Sequence, residues 1–194
     1  MPTPATDITV RAVDADRLDD LDTLFATTRT TTGCQCMWHI VTAKECQAGS
    51  GEPNRAAFAS LTVDSPDPVG LLAYRGDDPV GWCAAGPRSR YARALRSTQL
   101  KERDPAEDDT VWLVPCFYVR RDARKAGVTM SLLRGAVDLA RSRGATAVEG
   151  FPLAGDGRRS AADAFLGVEP LFAACGFTAV ARPSANRVIM RHPL

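Results

Sequence analysis

The sequence predicts an α/β chain, a mixed sheet flanked by helices, on three observations. Residues 111–119, Val-Trp-Leu-Val-Pro-Cys-Phe-Tyr-Val, are dense in β-branched and aromatic side chains and read as a strand. The polar Arg120-Arg-Asp122 that follows is short enough only for a tight turn, and a helix starts near Gly127. Val128, Leu132, Leu133, Ala136, Val137 and Ala140 recur on one face of that helix, and Arg134, Asp138, Arg141 and Arg143 take the other. Upstream, residues 69–74 and 80–85 flank Arg75-Gly-Asp-Asp-Pro79 as a hairpin.

Taken in order, Ile8, Val10 and Ala12 alternate as a short first strand, and Leu18, Leu21, Leu24 and Phe25 mark a helix. Residues 33–53 read as loop, and 56–61 as a short helix ended by Pro66-Asp-Pro68. After the hairpin, residues 88–103 form an insertion of helical composition ahead of the acidic turn Glu107-Asp-Asp109. Strand 111–119, helix 127–143, strand 146–152 and helix 161–175 make a β-α-β-α unit, and residues 177–181 with 187–191 close the sheet. Pro115 cannot donate to a ladder, so the strand carrying it should bulge or part from its neighbour there, or else lie at an edge. With 194 residues, 45% of them hydrophobic, the chain has the core of one domain, 1–194.

The strand-turn-helix passage has a chemical implication. The first turn of a helix offers backbone N–H groups with no internal partner and the positive end of the dipole, which suits an anion. Gly127 lets the anion come close, and Arg124 and Lys125 add charge. Other phosphate sites are excluded: the three lysines, Lys44, Lys101 and Lys125, do not follow a glycine, and there is no Gly-x-Gly-x-x-Gly.

Arg124-Lys-Ala-Gly127-Val-Thr129 resembles the Arg/Gln-x-x-Gly-x-Gly/Ala signature of the GNAT N-acetyltransferases, with Thr129 at the last small position. Residues 144–152 resemble the family's next strand, and residues 165–177 its last helix running into a Gly-Phe turn; the resemblance runs from about Val69 to the C-terminus. It implies the GNAT fold, a central mixed sheet of about six to seven strands with a bulge and splay where acetyl-coenzyme A binds. It also implies that acetyl-coenzyme A is the co-substrate, with its pyrophosphate on the loop of Arg124, Lys125, Ala126, Gly127, Val128 and Thr129. The pantetheine arm would run alongside Phe117, Tyr118 and Val119, and the thioester would sit near Cys116 and Pro115. The implied reaction is direct attack of an amine, from a small molecule or a protein, on the thioester. Where the family commonly places a tyrosine as acid for the departing thiolate, this chain has Phe172, which retains only a cofactor contact. Tyr118, the Cys116 thiol or water would then protonate the thiolate. Glu149, on the strand beside the gap, is the best carboxylate for a base, with an outward-facing strand charge as its alternative. A histidine base is not expected, because His39 and His192 both fall outside the β-α-β unit. The competing reading keeps the fold without turnover, as an acyl-coenzyme A sensor.

With 24 Lys+Arg against 23 Asp+Glu, the chain has no general attraction to nucleic acid or an anionic membrane. Arg88, Arg90, Arg93 and Arg96 read as a solvated helical face, the alternative being an acidic substrate or the remaining phosphate of the coenzyme. No apolar run approaches the roughly 18 residues of a membrane span, and the first residues lack a signal-peptide pattern, so a cytoplasmic location is expected, as a monomer or homodimer. Cys83, Cys116 and Cys175 sit in apolar patterns as small hydrophobes. Cys34-x-Cys36-x-x-His39 with Cys46 could hold zinc, but its first spacing is shorter than the usual two to four residues or so; no metal is expected, and Met37, Trp38 and Ile40 should close over the site.

Overall fold

The computed structural model describes residues 8–155 and 165–194. Seven strands form one sheet: β1 (Ile8–Ala12), β2 (Gly70–Arg75), β3 (Asp78–Pro87), β4 (Val111–Val119), β5 (Ala147–Gly150), β6 (Thr178–Ser184) and β7 (Arg187–Pro193). Their order is β1-β2-β3-β4-β5-β7-β6, and the neighbours run antiparallel except β4 and β5. A parallel pair needs a crossover, supplied here by the longest helix. The helices are α1 (Leu18–Phe25), α2 (Arg29–Cys34), α3 (Ala43–Ala48), α4 (Glu52–Asp64), α5 (Ala92–Leu95), α6 (Val128–Ser142) and α7 (Glu169–Ala174).

The apolar stripe of α6, from Val128 to Ala140, packs on one face of the sheet together with Trp112, Val114, Phe117, Val148 and Phe172. On the other face α1 contributes Leu21, Leu24 and Phe25 to a core with Leu72, Tyr74 and Trp82. Burying both faces gives the two-layer hydrophobic gain that holds a sheet of this size together.

Pro115 does what its missing N–H requires. β4 pairs with β5 only from Val111↔Ala147 to Val114↔Gly150, and the ladder stops one residue short of the proline. Against β3 the register slips in the same place: Ala84 pairs with Cys116 and Gly86 with Leu113, so Val114 and Pro115 oppose Ala85 alone. An extra residue in one strand turns every later side chain to the opposite face. Trp112, Val114 and then Phe117 accordingly lie under α6, while Cys116 and Tyr118 face the α1 side. The expected strand over 146–152 shortens to Ala147–Gly150 because the splay begins there.

Four expectations change. Residues 33–53 are largely helical: Thr28 caps α2, and Thr42 and Glu45 form a reciprocal capping box at the start of α3. The short helix over 56–61 extends to 13 residues as α4. Of the helix expected over 161–175, residues 161–164 lie outside the described residues, and among those described the helix is Glu169–Ala174, preceded by Gly167 at φ 74°. The insertion 88–103 holds short turns and the four-residue α5 instead of one helix.

Its arginines are no solvated face. Arg88 is buried among Glu107, Asp108 and Glu149; Arg90 donates to the carbonyls of Pro68 and Ala85 at 3.0 and 3.1 Å; Arg93 stacks on Trp38, and of the four Arg96 alone is exposed. Guanidinium groups here satisfy loop carbonyls that have no ladder of their own.

Candidate active site

The loop after β4 is built to present backbone amides. Arg120 forms ion pairs with Asp78 at 2.6 Å and Asp122 at 2.7 Å, fixing the turn to the β2-β3 hairpin. Arg124 Nε donates to Val119 O at 3.1 Å, folding the loop back on the strand end. Lys125 and Gly127 then take left-handed backbone at φ 65° and 78°, on either side of Ala126. Alternating left-handed residues turn N–H groups into one concavity, and α6 starts there with no side-chain cap and no acidic residue in its first turn. Arg124, Lys125, Ala126 and Gly127 are exposed and Thr129 is half-exposed, whereas the Val128 side chain is core. A side chain at Gly127 would meet no atom within 4 Å; the need for glycine comes from its φ.

Across the sheet from α6, where the bulge has turned Cys116 and Tyr118, lies a cavity of about 550 Å³. Its walls are mostly apolar, with aromatic rings from Phe25, Trp38, Trp82, Phe151 and Phe165, and it also meets His39, Arg93, Gln99 and Arg187. The Tyr118 hydroxyl and Thr27 Oγ1 lie 2.6 Å apart, and the Tyr118 ring stacks on Phe165. Trp38, half-exposed at the wall, carries the Arg93 guanidinium 3.5 Å above its ring. Met37, expected beside Trp38 over the site, packs instead into the core.

Three thiols converge on this cavity: Cys34, Cys36 and Cys116. Cys36 is buried, and Trp82 Nε1 donates to its Sγ at 3.1 Å. The neighbouring Cys116 thiol and the Trp82 N–H hold the Cys36 thiol below the ordinary thiol range, although burial opposes them; the Cys116 thiol itself points to Phe117 O at 3.9 Å. Cys116 is pushed up, first by Cys36 beside it and then by burial. Burial, with Cys36 beside it, raises Cys34 to about 12. Cys46 packs elsewhere, under Asn54 Nδ2, and among the described residues no cluster of His, Cys, Asp or Glu could hold a metal ion.

His39 is the residue that sequence reasoning set aside. Its ring meets Phe151 edge-on, and burial, aided by the Arg93 charge, lowers its pKa to about 4. The folded value lies below the unfolded one, so the neutral ring contributes stability above the unfolded pKa of about 6.5 that is lost as pH falls toward 4. Urea titrations of the wild type and of His39→Gln from pH 8 to 4 should diverge over that window by at most about 3 kcal/mol, the wild type losing more.

Glu149 and Phe172 are not placed for the roles expected of them. Glu149 is buried, one oxygen paired with Arg88 at 3.0 Å and the other with Arg191 at 3.2 Å. Both carboxylate oxygens are engaged by guanidinium groups, so Glu149 ties β5 to the insertion and to β7 and is not an outward-facing strand charge. Phe172 lies fully in the core, edge-on to Phe117 and Phe177, and a Cβ at Gly150 would come within 2.4 Å of its ring. Phe117, also core, meets it from β4, so the α6-facing half of that strand is packed and the cavity half is open.

No family model matches the chain, and comparison with curated protein sequences finds no match. Solved structures do resemble it. An N-acetyltransferase from Staphylococcus aureus Mu50 aligns over 96% of this chain and 98% of its own at a TM-score of 0.58 and 12% identity. A ribosomal-protein-alanine N-acetyltransferase from Brucella melitensis covers 96% and 99% at a TM-score of 0.57 and 17% identity. The PaiA N-acetyltransferase from Thermoplasma acidophilum, solved in complex with coenzyme A, covers 97% and 99% at 0.55 and 12%. The mixed seven-stranded sheet, its single parallel pair and the likeness of these structures over nearly their whole length lead to one conclusion: this chain has the fold of the GNAT N-acetyltransferases.

Proposed function

We propose that the protein is a member of the GNAT superfamily that transfers the acetyl group of acetyl-coenzyme A to an amine of a small molecule or a protein. One observation carries the reading: β4 parts from β5 at Pro115, with an uncapped, amide-rich helix start beyond its end and an aromatic cavity on the face that the bulge opens. The free edge of β4 suits the amide-bearing pantetheine arm, alongside Phe117, Tyr118 and Val119. The loop of Arg124, Lys125, Ala126, Gly127, Val128 and Thr129 suits the pyrophosphate. Phe172, enclosed in the core, supports that edge from behind and makes no contact with the coenzyme in this reading.

An amine in the cavity would reach a thioester lying near Cys116. Holding the two in line supplies about 7–11 kcal/mol of the barrier, and a proton donor or acceptor adds a further factor of roughly 10²–10⁴. Tyr118 and Cys116, both on the cavity wall, are candidates to protonate the leaving thiolate. The aromatic lining favours an acceptor with an apolar body. A family likeness without catalysis, an acyl-coenzyme A sensor, is the second reading; the lack of a tyrosine at position 172 favours it.

Turnover separates the two. Acetyl-coenzyme A binding is measured by calorimetry, and coenzyme A release is followed with phenethylamine, tyramine, spermidine, lysine and an alanine-led peptide. Release above background with any of them supports the enzyme. Binding with no release from the whole panel supports the sensor, and no binding removes both readings.

A further inference from the structure

We infer that the acceptor is a free amino acid with an aromatic or large apolar side chain, and that Arg93 holds its carboxylate. The inference rests on the acetyltransferase reading above and names the substrate class of the same cavity. Charge is the first ground for it. Among the described residues no aspartate or glutamate lines the cavity, and the charged side chains on its wall are Arg93 and Arg187, the latter donating to Asn186 O at 3.3 Å. His39 stays neutral near pH 7, since burial and the Arg93 charge both disfavour its proton. Such a wall has no carboxylate to receive the several ammonium groups of a polyamine, and its electrostatic complement is an anionic group on the acceptor.

Arg93, on α5, is held in place for that group and has donors to spare. Its guanidinium lies 3.5 Å above the Trp38 ring, and its Nη1 donates to Trp38 O at 3.1 Å. Trp38 in turn follows Gln35 and Cys36, both in left-handed backbone at φ 46° and 59°, a conformation disfavoured for residues with side chains and found where a ligand site fixes the chain. Other arginines of the insertion are spent on the protein: Arg88 on Glu149 and Asp104 O, Arg90 on Pro68 O and Ala85 O, Arg103 on Asp108 and Leu95 O. Among the described residues Arg93 forms no ion pair and no hydrogen bond besides the one to Trp38 O, so its Nε and Nη2 donors remain for a ligand. A planar guanidinium already fixed on a ring gives up little freedom when it takes a carboxylate through two parallel hydrogen bonds.

The rest of the cavity selects the body of the molecule. Trp82, Phe151 and Phe165 give it apolar walls, and its volume of about 550 Å³ falls within the roughly 300–1,000 Å³ of small-molecule sites. A free amino acid brings the anion and the apolar side chain together. The first residue of a peptide has its carboxyl group in an amide bond and offers Arg93 no charge.

Two measurements test this. In the first, N-acetylphenylalanine and N-acetylphenylalaninamide are titrated by calorimetry into the wild type with coenzyme A bound. The two differ only in carrying a carboxylate or an amide, so the acid should bind at least about tenfold tighter. Equal affinities overturn the inference, and this result depends on no turnover. In the second, coenzyme A release is followed with phenylalanine, phenethylamine and spermidine in the wild type and in Arg93→Gln. Phenylalanine should show the highest kcat/KM in the wild type. Arg93→Gln should lower that value at least about tenfold, chiefly through KM, and leave phenethylamine within about threefold, a split that the loss of a merely structural arginine would not give. A variant that slows both amines equally overturns the inference. So does a wild type that prefers phenethylamine, spermidine, lysine or a peptide to phenylalanine, and that outcome leaves the acetyltransferase reading standing. A wild type that binds acetyl-coenzyme A and turns over none of these amines fails the acetyltransferase reading, and the acceptor assignment falls with it.

Discussion

Arg88→Met is expected to destabilise the fold by about 3–5 kcal/mol, because it leaves a buried carboxylate without its main partner. Arg88 is 1% exposed and bridges Glu149 at 3.0 Å, Asp108 at 3.2 Å and Glu107 at 3.4 Å, and it donates to Asp104 O at 3.0 Å. It therefore ties the insertion to β5, while Arg191 ties both Glu107 and Glu149 to β7. Arg88 and Arg191 together compensate Glu107, Asp108 and Glu149, and removing Arg88 leaves the desolvation cost of the buried Glu149 largely unmet. Methionine fills most of the volume, so the loss is electrostatic and not a cavity. Urea denaturation of the variant should show the full drop, and adding Glu149→Leu should recover a substantial part of it, since the stranded charge is then gone. A single variant within about 1 kcal/mol of the wild type would mean that the cluster is solvated and gives Glu149 no structural role. Glu149→Gln, by the same reasoning, should cost stability and leave the intrinsic chemistry to other groups.

Much of the scaffold was legible because its periodicities are clean. The stripe of α6 runs Val128 to Ala140 without interruption, and the expected helix over 127–143 differs from Val128–Ser142 by one residue at each end. Pro115 announced the splay, since no other residue type forces a ladder to stop. The helices between Gly33 and Pro53 were hidden by composition: Arg-Thr-Thr-Thr-Gly-Cys has no apolar stripe, and what makes it helical is the Thr28 cap. The Thr42-x-x-Glu45 box was a readable signal of α3 that composition outweighed. Glu149 and Phe172 show the other limit. Strand position puts Glu149 beside the gap and the family resemblance puts Phe172 there, but which way a side chain points and what holds it depends on Arg88, Arg191 and Gly150, each brought there by tertiary structure. The convergence of Cys36 and Cys116, 80 positions apart in sequence, depends on a one-residue bulge and two left-handed residues, which leave no mark in hydrophobic spacing.

The second large effect concerns the coenzyme. Thr129→Glu is expected to abolish most acetyl-coenzyme A binding while the fold is kept. Position 129 lies in the first turn of α6, half-exposed, where a carboxylate is favoured by the helix dipole and should slightly raise stability. The same carboxylate would stand against the pyrophosphate, and like charges brought together at a binding surface cost several kcal/mol, a loss of roughly a hundredfold or more in affinity. Gly127 is the less clean site for this test: at φ 78° any L side chain is strained, so lost binding there would be mixed with lost stability. Calorimetric titration of acetyl-coenzyme A into the wild type and Thr129→Glu, with circular dichroism and thermal melts on both, is the most direct test of the central claim that the α6 start holds the coenzyme. The account expects saturable one-to-one binding by the wild type and at least a hundredfold weaker binding by a natively folded Thr129→Glu. Equal affinities in the two proteins, or no binding by the wild type, would contradict it.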